Sequence, residues 1–187
     1  MLKRIIPTEV FWFVATIWVI FFVDLVLIGT NFNTFGIRPR TILGLPGIFL
    51  SPFLHGSLIH LISNTISLLI LSALIYLSAG SKKMRIVMWL GALVSGLGVW
   101  AFGSDGITVG ASGIIYAFIG FLFFDAYFNP TIRSWLFAII SFVAYSGTLI
   151  SFVSFLPSIS WAGHFWGFAS GILLAYLLRH QDSAIIK

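Results

Sequence analysis

The chain has 187 residues, of which 59% are hydrophobic and 8% charged, with a formal net charge of +5 and no cysteine. A soluble domain carries about 25% charged residues, so this composition indicates an integral membrane protein. The lack of cysteine excludes a disulfide framework, a thiol nucleophile and a thiolate metal site. The basic residues lie at the ends of apolar runs, so the charge does not require a nucleic-acid partner. We expect one membrane domain over residues 1–187.

Six apolar runs are long enough to cross a hydrocarbon core of about 30 Å. The predicted spans are approximately 10–28, 57–77, 86–102, 112–128, 134–153 and 161–178. The connection from Gly29 to Leu54 is rich in Gly and Pro, which is unfavourable for a spanning helix, yet it is too apolar for an aqueous loop. We therefore predict an all-α integral membrane fold, a six-transmembrane-helix bundle whose first loop is partly embedded in the membrane and packed on protein.

The distribution of basic residues predicts the orientation of the bundle. Only two basic residues, Arg38 and Arg40, lie in the first loop. The other eight lie at the amino terminus, in the second and fourth loops and in the carboxyl tail: Lys3, Arg4, Lys82, Lys83, Arg85, Arg133, Arg179 and Lys187. Positively charged loops face the cytoplasm, so we expect both termini there. Asp24 and Asp125 lie near helix ends, where we expect them at the membrane interface.

Ser112 lies between small residues in the segment Val109-Gly110-Ala111-Ser112-Gly113, which opens the fourth apolar run. Small neighbours leave a hydroxyl uncrowded and let another backbone approach closely. If a helix begins here, the N–H groups of its first turn can hold an anion. A nucleophile beside an anion site is half of an acyl-transfer centre. The same small residues also suit close packing between membrane helices, which is the alternative interpretation.

Four further polar residues, His55 among them, are expected at the depth of Ser112, because spans two, four and six enter the membrane from the same side. His60 and Asn64 lie on one face near the start of span two, and His164 lies one turn into span six. Ionisable side chains are rare within spans and usually face a protein interior or a water cavity. Each of these residues alone could instead form an interhelical hydrogen bond. A metal site is not expected, because no carboxylate and no His-Glu-x-x-His motif accompanies the histidines.

Small residues predict that spans four and six touch. Span six carries Gly163, Gly167 and Gly171 at intervals of four residues, and span four carries Gly113 and Ala117 at the same interval. Two such smooth faces allow close helix contact, which could bring Ser112 within hydrogen-bond reach of His164. Tyr116 follows Ser112 by one helical turn, where its ring could support an imidazole.

Together these residues resemble the rhomboid family of intramembrane serine proteases. The resemblance covers nearly the whole chain from the first loop onward. The matching motifs are, in chain order, Pro52-Phe53-Leu54-His55, His55-x4-His60-x3-Asn64, Gly110-Ala111-Ser112-Gly113 and Gly163-His164-Phe165-Trp166-Gly167.

The resemblance implies a function and a role for each of these residues. Ser112 would be the nucleophile and His164 the general base, in a dyad without an acidic third member. The side chains of His60 and Asn64 and the backbone N–H of Ser112 would form the oxyanion hole. His55 would be structural and Tyr116 would support His164. The remaining supporting residues are Gly110, Gly113, Gly163 and Gly167.

The implied substrates are single-pass transmembrane proteins, cleaved near the outer face within the membrane lipid, with no cofactor and no metal. The chain resembles the minimal six-helix prokaryotic type, a multi-pass protein of the cell inner membrane. The alternative is a non-catalytic rhomboid-like protein that binds membrane segments. The chain departs from some bacterial members in its first loop, where Pro46-Gly47 stand eight to nine residues before His55 and the Trp-Arg pair is missing.

Overall fold

The computed structural model describes residues 6–27, 29–149 and 160–179. Within these ranges the chain is helical and contains no β-strand beyond a single bridge between Ile37 and Thr108. The helices, in chain order, are α1 (Thr8–Val26), α2 (Gly47–Leu50), α3 (Leu58–Phe102), α4 (Ser112–Phe128), α5 (Ile132–Leu149) and α6 (Trp161–Leu178). The predicted all-α fold is confirmed. Residues 150–153 of the predicted fifth span, Ile28 of the first, and the basic residues Lys3, Arg4 and Lys187 lie outside the described ranges.

Helix α3 contains both the second and the third predicted spans. Residues 78–85, expected as a loop, are helical on both sides of Gly80, whose φ of 86° and ψ of 167° interrupt the helix. Glycine adopts a positive φ without steric cost, so a single residue can separate two helices here. We call residues 58–79 the first arm of α3 and residues 81–102 the second arm.

Helix α4 is the centre of the bundle. Every residue from Ile114 to Leu122 is buried, which is typical of a helix that is apolar on all sides and surrounded by others. Its most extensive contact is with α6, followed by those with α3 and α5. Helix α1 packs on α3: the Trp18 indole donates to the Thr65 hydroxyl at 3.0 Å, and Arg85 pairs with Glu9 at 2.7 Å.

The long first loop packs on the helices. Its short helix α2 brings Ile48 against Gly96 of the second arm, and the ring of Phe53 lies 4.8 Å from that of Phe13 in α1. Other apolar side chains of the loop point outward, with Ile42 83% and Leu43 80% exposed. Apolar residues that face outward from a helical membrane bundle are suited to lipid, in agreement with the predicted embedded loop.

The loop packs closely without the Trp-Arg pair. A Cβ on Gly47 would lie 2.5 Å from the carbonyl oxygen of Gly36, so the two backbone segments touch directly. Arg40 holds the loop to the segment that follows α3, with its guanidinium donating to the carbonyl of Gly103 at 2.7 Å and to Asp105 at 2.6 Å. Backbone contact and Arg40 therefore add to the apolar contacts that hold the loop on the helices.

The expectation that Asp125 is solvated at a helix end was wrong. Its side chain is only 4% exposed, and one carboxylate oxygen accepts a 2.8 Å hydrogen bond from the Asn129 amide just beyond the end of α4. Packing of α4 at the centre of the bundle buries the residue. Asp24 is partly exposed and accepts a 2.8 Å bond from the Phe32 N–H, which ties the end of α1 to the first loop.

The described helices are suited to a membrane. Helices α1, α3 and α6 are long and apolar enough to cross one, and α4 and the 132–146 part of α5 are shorter apolar helices. The kink at Gly80 divides α3 into two arms of 22 residues each. Each arm is about 33 Å long at 1.5 Å per residue. The protein is therefore an integral membrane protein.

Candidate active site

The predicted site residues lie at the N-terminal ends of three helices. Ser112 is the first residue of α4, while His60 and His164 lie in the first turns of α3 and α6. A serine caps each of the two histidine-bearing helices: the hydroxyl of Ser57 accepts from the His60 N–H at 3.2 Å, and that of Ser160 from the Gly163 N–H at 3.3 Å. Serine favours this position because its oxygen satisfies an otherwise unpaired donor of the first turn.

His164 lies beside the first turn of α4. Its imidazole stacks on the phenol ring of Tyr116, with ring centroids 4.1 Å apart and ring planes 21° from parallel. Tyr116 is four residues after Ser112, so the two occupy the same face of α4. A Cβ on Gly167 would collide with the carbonyl oxygen of Gly113. Close approach of α4 and α6 therefore brings His164 to the face of α4 that begins with Ser112.

One detail of the predicted glycine face differs from expectation. Gly167 and Gly171 touch the backbone of α4, at Gly113 and Ala117 respectively. A Cβ on Gly163 would instead meet the Ser160 hydroxyl and a methyl group of Val99, each at 3.3 Å. Space on the α4 side is therefore needed at the second and third glycines, whereas a side chain at the first would point toward α3 and the capping residue.

Gly110 brings the segment before Ser112 against two side-chain donors. Its φ is +114°, and a Cβ there would lie 2.5 Å from Cε1 and 2.6 Å from Nε2 of His60 and 3.4 Å from Nδ2 of Asn64. The Gly110 N–H donates to the carbonyl of Ser51 at 2.8 Å, which anchors this segment to the first loop. Glycine is needed here both for the backbone conformation and for the space. The imidazole and amide nitrogens thus converge two residues before Ser112.

The first-turn N–H groups of α4 add backbone donors at the same place. Helix α4 begins at Ser112, and the first N–H groups of a helix have no partner within it. The positive end of the helix dipole favours negative charge at this point. A developing negative charge next to the Ser112 hydroxyl would therefore face three kinds of donor: a backbone N–H, the Asn64 amide and the His60 ring.

His55 supports these donors from the first loop. Its Nε2 accepts a 3.0 Å hydrogen bond from the Asn64 amide, and its ring lies 5.0 Å from that of His60. Burial, together with the charge of the neighbouring His60, lowers the pKa of His55 to about 4. His55 is therefore neutral at pH 7, as its role as acceptor requires. The second N–H of the Asn64 amide is left for other acceptors.

A small cavity adjoins Ser112 on the side of α3. It is large enough for one water molecule. Its polar lining includes the serine residues Ser51, Ser95, Ser112 and Ser160. Water can therefore be held close to the Ser112 hydroxyl.

Sequence reasoning overlooked three serines that surround the site. Ser51 accepts the Gly110 N–H, Ser160 caps α6, and Ser95 donates from α3 to the carbonyl of Gly163 at 2.9 Å. A serine three residues before Gly163 is a recognisable capping signal. Ser51 acts through its backbone and Ser95 through a contact 68 residues away in sequence, so neither has a local signal.

The chain matches the family model of the Rhomboid domain over residues 44–181. It is 32% identical over 186 residues to an uncharacterized protein of Mycobacterium tuberculosis, an alignment that covers 94% of this chain and 76% of that protein. It is 33% identical over 149 residues to an uncharacterized protein of Mycobacterium leprae, covering 73% and 57% of the two chains. It is 28% identical over 140 residues to RHOMBOID-like protein 1 of Arabidopsis thaliana, covering 72% of this chain and 35% of that protein. Because the family model matches most of its length, the chain belongs to the rhomboid family.

Proposed function

We propose that the protein is an intramembrane serine endopeptidase that cleaves transmembrane proteins with a Ser112–His164 dyad. The observation that carries this proposal is the stacking of His164 on Tyr116, at a centroid distance of 4.1 Å, on the face of α4 that begins with Ser112. Family membership supports the reaction class. The proximity of His60 and Asn64 to Gly110 supports the place of the oxyanion hole.

The proposed reaction begins with attack of the Ser112 hydroxyl on the scissile carbonyl carbon. A serine hydroxyl is a weak nucleophile until a base removes its proton during the attack, and a neutral His164 takes that proton. The carbonyl oxygen becomes an oxyanion that accepts from the Ser112 N–H, Asn64 and His60. Collapse of this intermediate expels the amine, to which His164 returns the proton. Water then hydrolyses the acyl-enzyme by the same steps.

The orientation of His164 does not need a carboxylate in this mechanism. Stacking on Tyr116 fixes the plane of the imidazole, and the cap at Ser160 fixes the first turn of α6. Attraction between the two stacked rings stabilises one orientation of the imidazole. In a site of low dielectric, donors that are already in place act strongly on the developing charge and need no reorganisation.

The substrates that fit this site are transmembrane segments cleaved near the end of the bundle that holds Ser112. From the eight-to-two distribution of basic residues we place this end outside the inner membrane of a prokaryotic cell, and both termini in the cytoplasm. Reporter fusions at Lys83 and Asn129 should then read cytoplasmic, and a fusion at Asp105 external. The reversed pattern would contradict the proposed face of cleavage.

The decisive experiment replaces Ser112 by alanine. Alanine keeps a small residue at the start of α4, so thermal stability should stay within about 1 kcal/mol of the wild type. Cleavage of a reconstituted single-pass substrate should be abolished, and a serine-directed fluorophosphonate should no longer label the protein. Wild-type cleavage by a folded Ser112→Ala variant would overturn the proposal. A wild-type protein that binds membrane segments but neither cleaves them nor accepts the label would point to the non-catalytic alternative.

A further inference from the structure

Ser95 occupies a central position between the two halves of the proposed dyad. It lies in the second arm of α3, more than one turn from the end of the helix, and is only 4% exposed. It is not part of any motif that carries the family resemblance. Its burial within an apolar arm is costly unless its hydroxyl is hydrogen-bonded, so the partner of that hydroxyl is informative.

The hydroxyl of Ser95 donates to the carbonyl oxygen of Gly163 at 2.9 Å. This carbonyl belongs to the peptide bond that leads into His164. Because the peptide unit is planar, fixing its oxygen also fixes the N–H and the Cα of His164. Ser95 thus acts on the backbone from which the imidazole extends.

The same hydroxyl also touches Gly113, the residue after Ser112. A Cβ on Gly113 would collide with the Ser95 oxygen and lie 2.8 Å from its Cβ, so the two residues are in direct contact. Ser95, Gly113 and Gly163 also line the cavity beside Ser112. One side chain of α3 therefore contacts the immediate neighbour of each dyad residue, one by packing and the other by a hydrogen bond.

We propose that Ser95 is a positioning residue that sets the spacing between Ser112 and His164 by tying the first turn of α6 to the start of α4. This inference rests on the proposed function of the dyad. In this role Ser95 does not touch the reacting atoms. Its effect comes from geometry, since a displacement of about 1 Å in a reacting pair can cost about a hundredfold in rate.

The test compares Ser95→Ala with a matched control, Ser72→Ala. Ser72 is also fully buried in α3, but lies in the first arm, and its hydroxyl donates at 3.2 Å to the Leu69 carbonyl of its own helix. Both variants lose one buried hydroxyl of the same helix. Only Ser95→Ala loses a contact between helices at the site.

Two measurements of fluorophosphonate labelling distinguish an effect on the position of His164 from an effect on folding. The final extent of labelling reports the fraction of folded protein, and the rate constant reports how well His164 activates Ser112. For Ser95→Ala we expect full extent, a rate constant reduced about tenfold or more, and a similar loss in kcat for a membrane substrate with KM unchanged. Ser72→Ala should match the wild type in all of these. Ser95→Cys, whose thiol is a weaker donor, should label at an intermediate rate.

A Ser95→Ala rate constant within twofold of the wild type would overturn the inference, as would a reduced extent of labelling at an unchanged rate. If Ser95→Ala does not fold, the Ser95→Cys rate decides: an intermediate value supports positioning, and a wild-type value overturns it. Failure of the underlying function has a different signature, namely a wild-type protein that does not label at all. That result would remove the dyad and this inference together.

Discussion

The imidazole of His164 stacks on the phenol ring of Tyr116, with the two ring centroids 4.1 Å apart. The tyrosine is 3% exposed and belongs to α4, the helix that starts with Ser112. A ring on one helix therefore sets the plane of the proposed base on another. The pair provides a direct test of how the base is oriented.

Replacing Tyr116 by phenylalanine keeps the aromatic face, whereas leucine removes it and leaves a smaller apolar side chain. We expect Tyr116→Phe to keep most of the activity and Tyr116→Leu to lower kcat about tenfold or more, because the imidazole loses its stacking surface. Single-turnover cleavage and the rate of fluorophosphonate labelling would measure both variants. Equal rates for folded Phe and Leu variants would show that stacking does not orient His164.

Gly110 and Gly106 form a matched pair for testing the proposed oxyanion hole. Both have a positive φ, +114° and +128°, so alanine introduces comparable backbone strain at each. Only at Gly110 does the new Cβ meet other atoms, those of His60 and Asn64. We expect Gly110→Ala to lose about a hundredfold or more in cleavage rate, because it displaces the donors. Gly106→Ala should stay within a few-fold of the wild type, and an equal loss in both variants would mean that strain alone is responsible.

Mutations of an oxyanion-hole donor and of the base should have different effects on cleavage and on labelling. Asn64→Ala removes one side-chain donor, and we expect cleavage to slow about a hundredfold while Ser112 remains reactive to fluorophosphonate. His164→Ala removes the base, and we expect it to suppress cleavage and labelling together. Cleavage is measured with a reconstituted substrate, and labelling of Ser112 by mass spectrometry of the labelled peptide. Equal loss of labelling in folded samples of both variants would contradict this division of roles.

The α4–α6 contact predicts different costs for two glycines of the same helix. Gly167→Ala forces a methyl group against the backbone carbonyl of Gly113, and overpacking of this kind typically costs about 1–3 kcal/mol. Gly163→Ala meets only the Ser160 hydroxyl and a Val99 methyl at 3.3 Å, both of which can shift. Thermal unfolding in detergent should therefore show a lower midpoint for Gly167→Ala than for Gly163→Ala. The opposite order would mean that the first turn of α6 carries the contact.

Acid should destabilise the first loop through His55. Burial lowers the pKa of this histidine to about 4, below its usual 6.5, so the folded state disfavours the proton. The stability that the neutral form provides is complete above pH 6.5 and is lost as the pH falls toward 4. In His55→Gln an amide oxygen can take the place of Nε2 as acceptor for Asn64 without titrating. The midpoint of thermal unfolding should therefore fall less steeply with acid in the variant, and identical slopes would exclude His55 as the group responsible.

Several features of the protein followed from the sequence because they depend on local composition. Runs of apolar residues long enough to cross a bilayer predicted the helices, and the glycines and prolines of the first loop predicted a segment that is neither span nor free loop. The positions of Ser112, His60 and His164 at helix starts also followed from where the apolar runs begin. The loop predicted around Gly80 was wrong, because one glycine with a positive φ was enough to end one helix and begin the next.

The small residues of spans four and six had predicted that α4 and α6 touch, but only the tertiary structure decided which side chains and loops hold the helix ends together. Ser95 reaches Gly163 across 68 residues and Arg40 reaches Gly103 across 63. Long-range contacts of this kind cannot be predicted from the neighbouring sequence. A serine in an apolar run, for example, is typical of helix packing, and its hydrogen-bond partner is known only from the structure. The physical reason is that a buried hydrogen bond or a close backbone contact depends on a partner that is distant in sequence. The length of an apolar run and the cap of a helix depend only on residues that are adjacent in sequence.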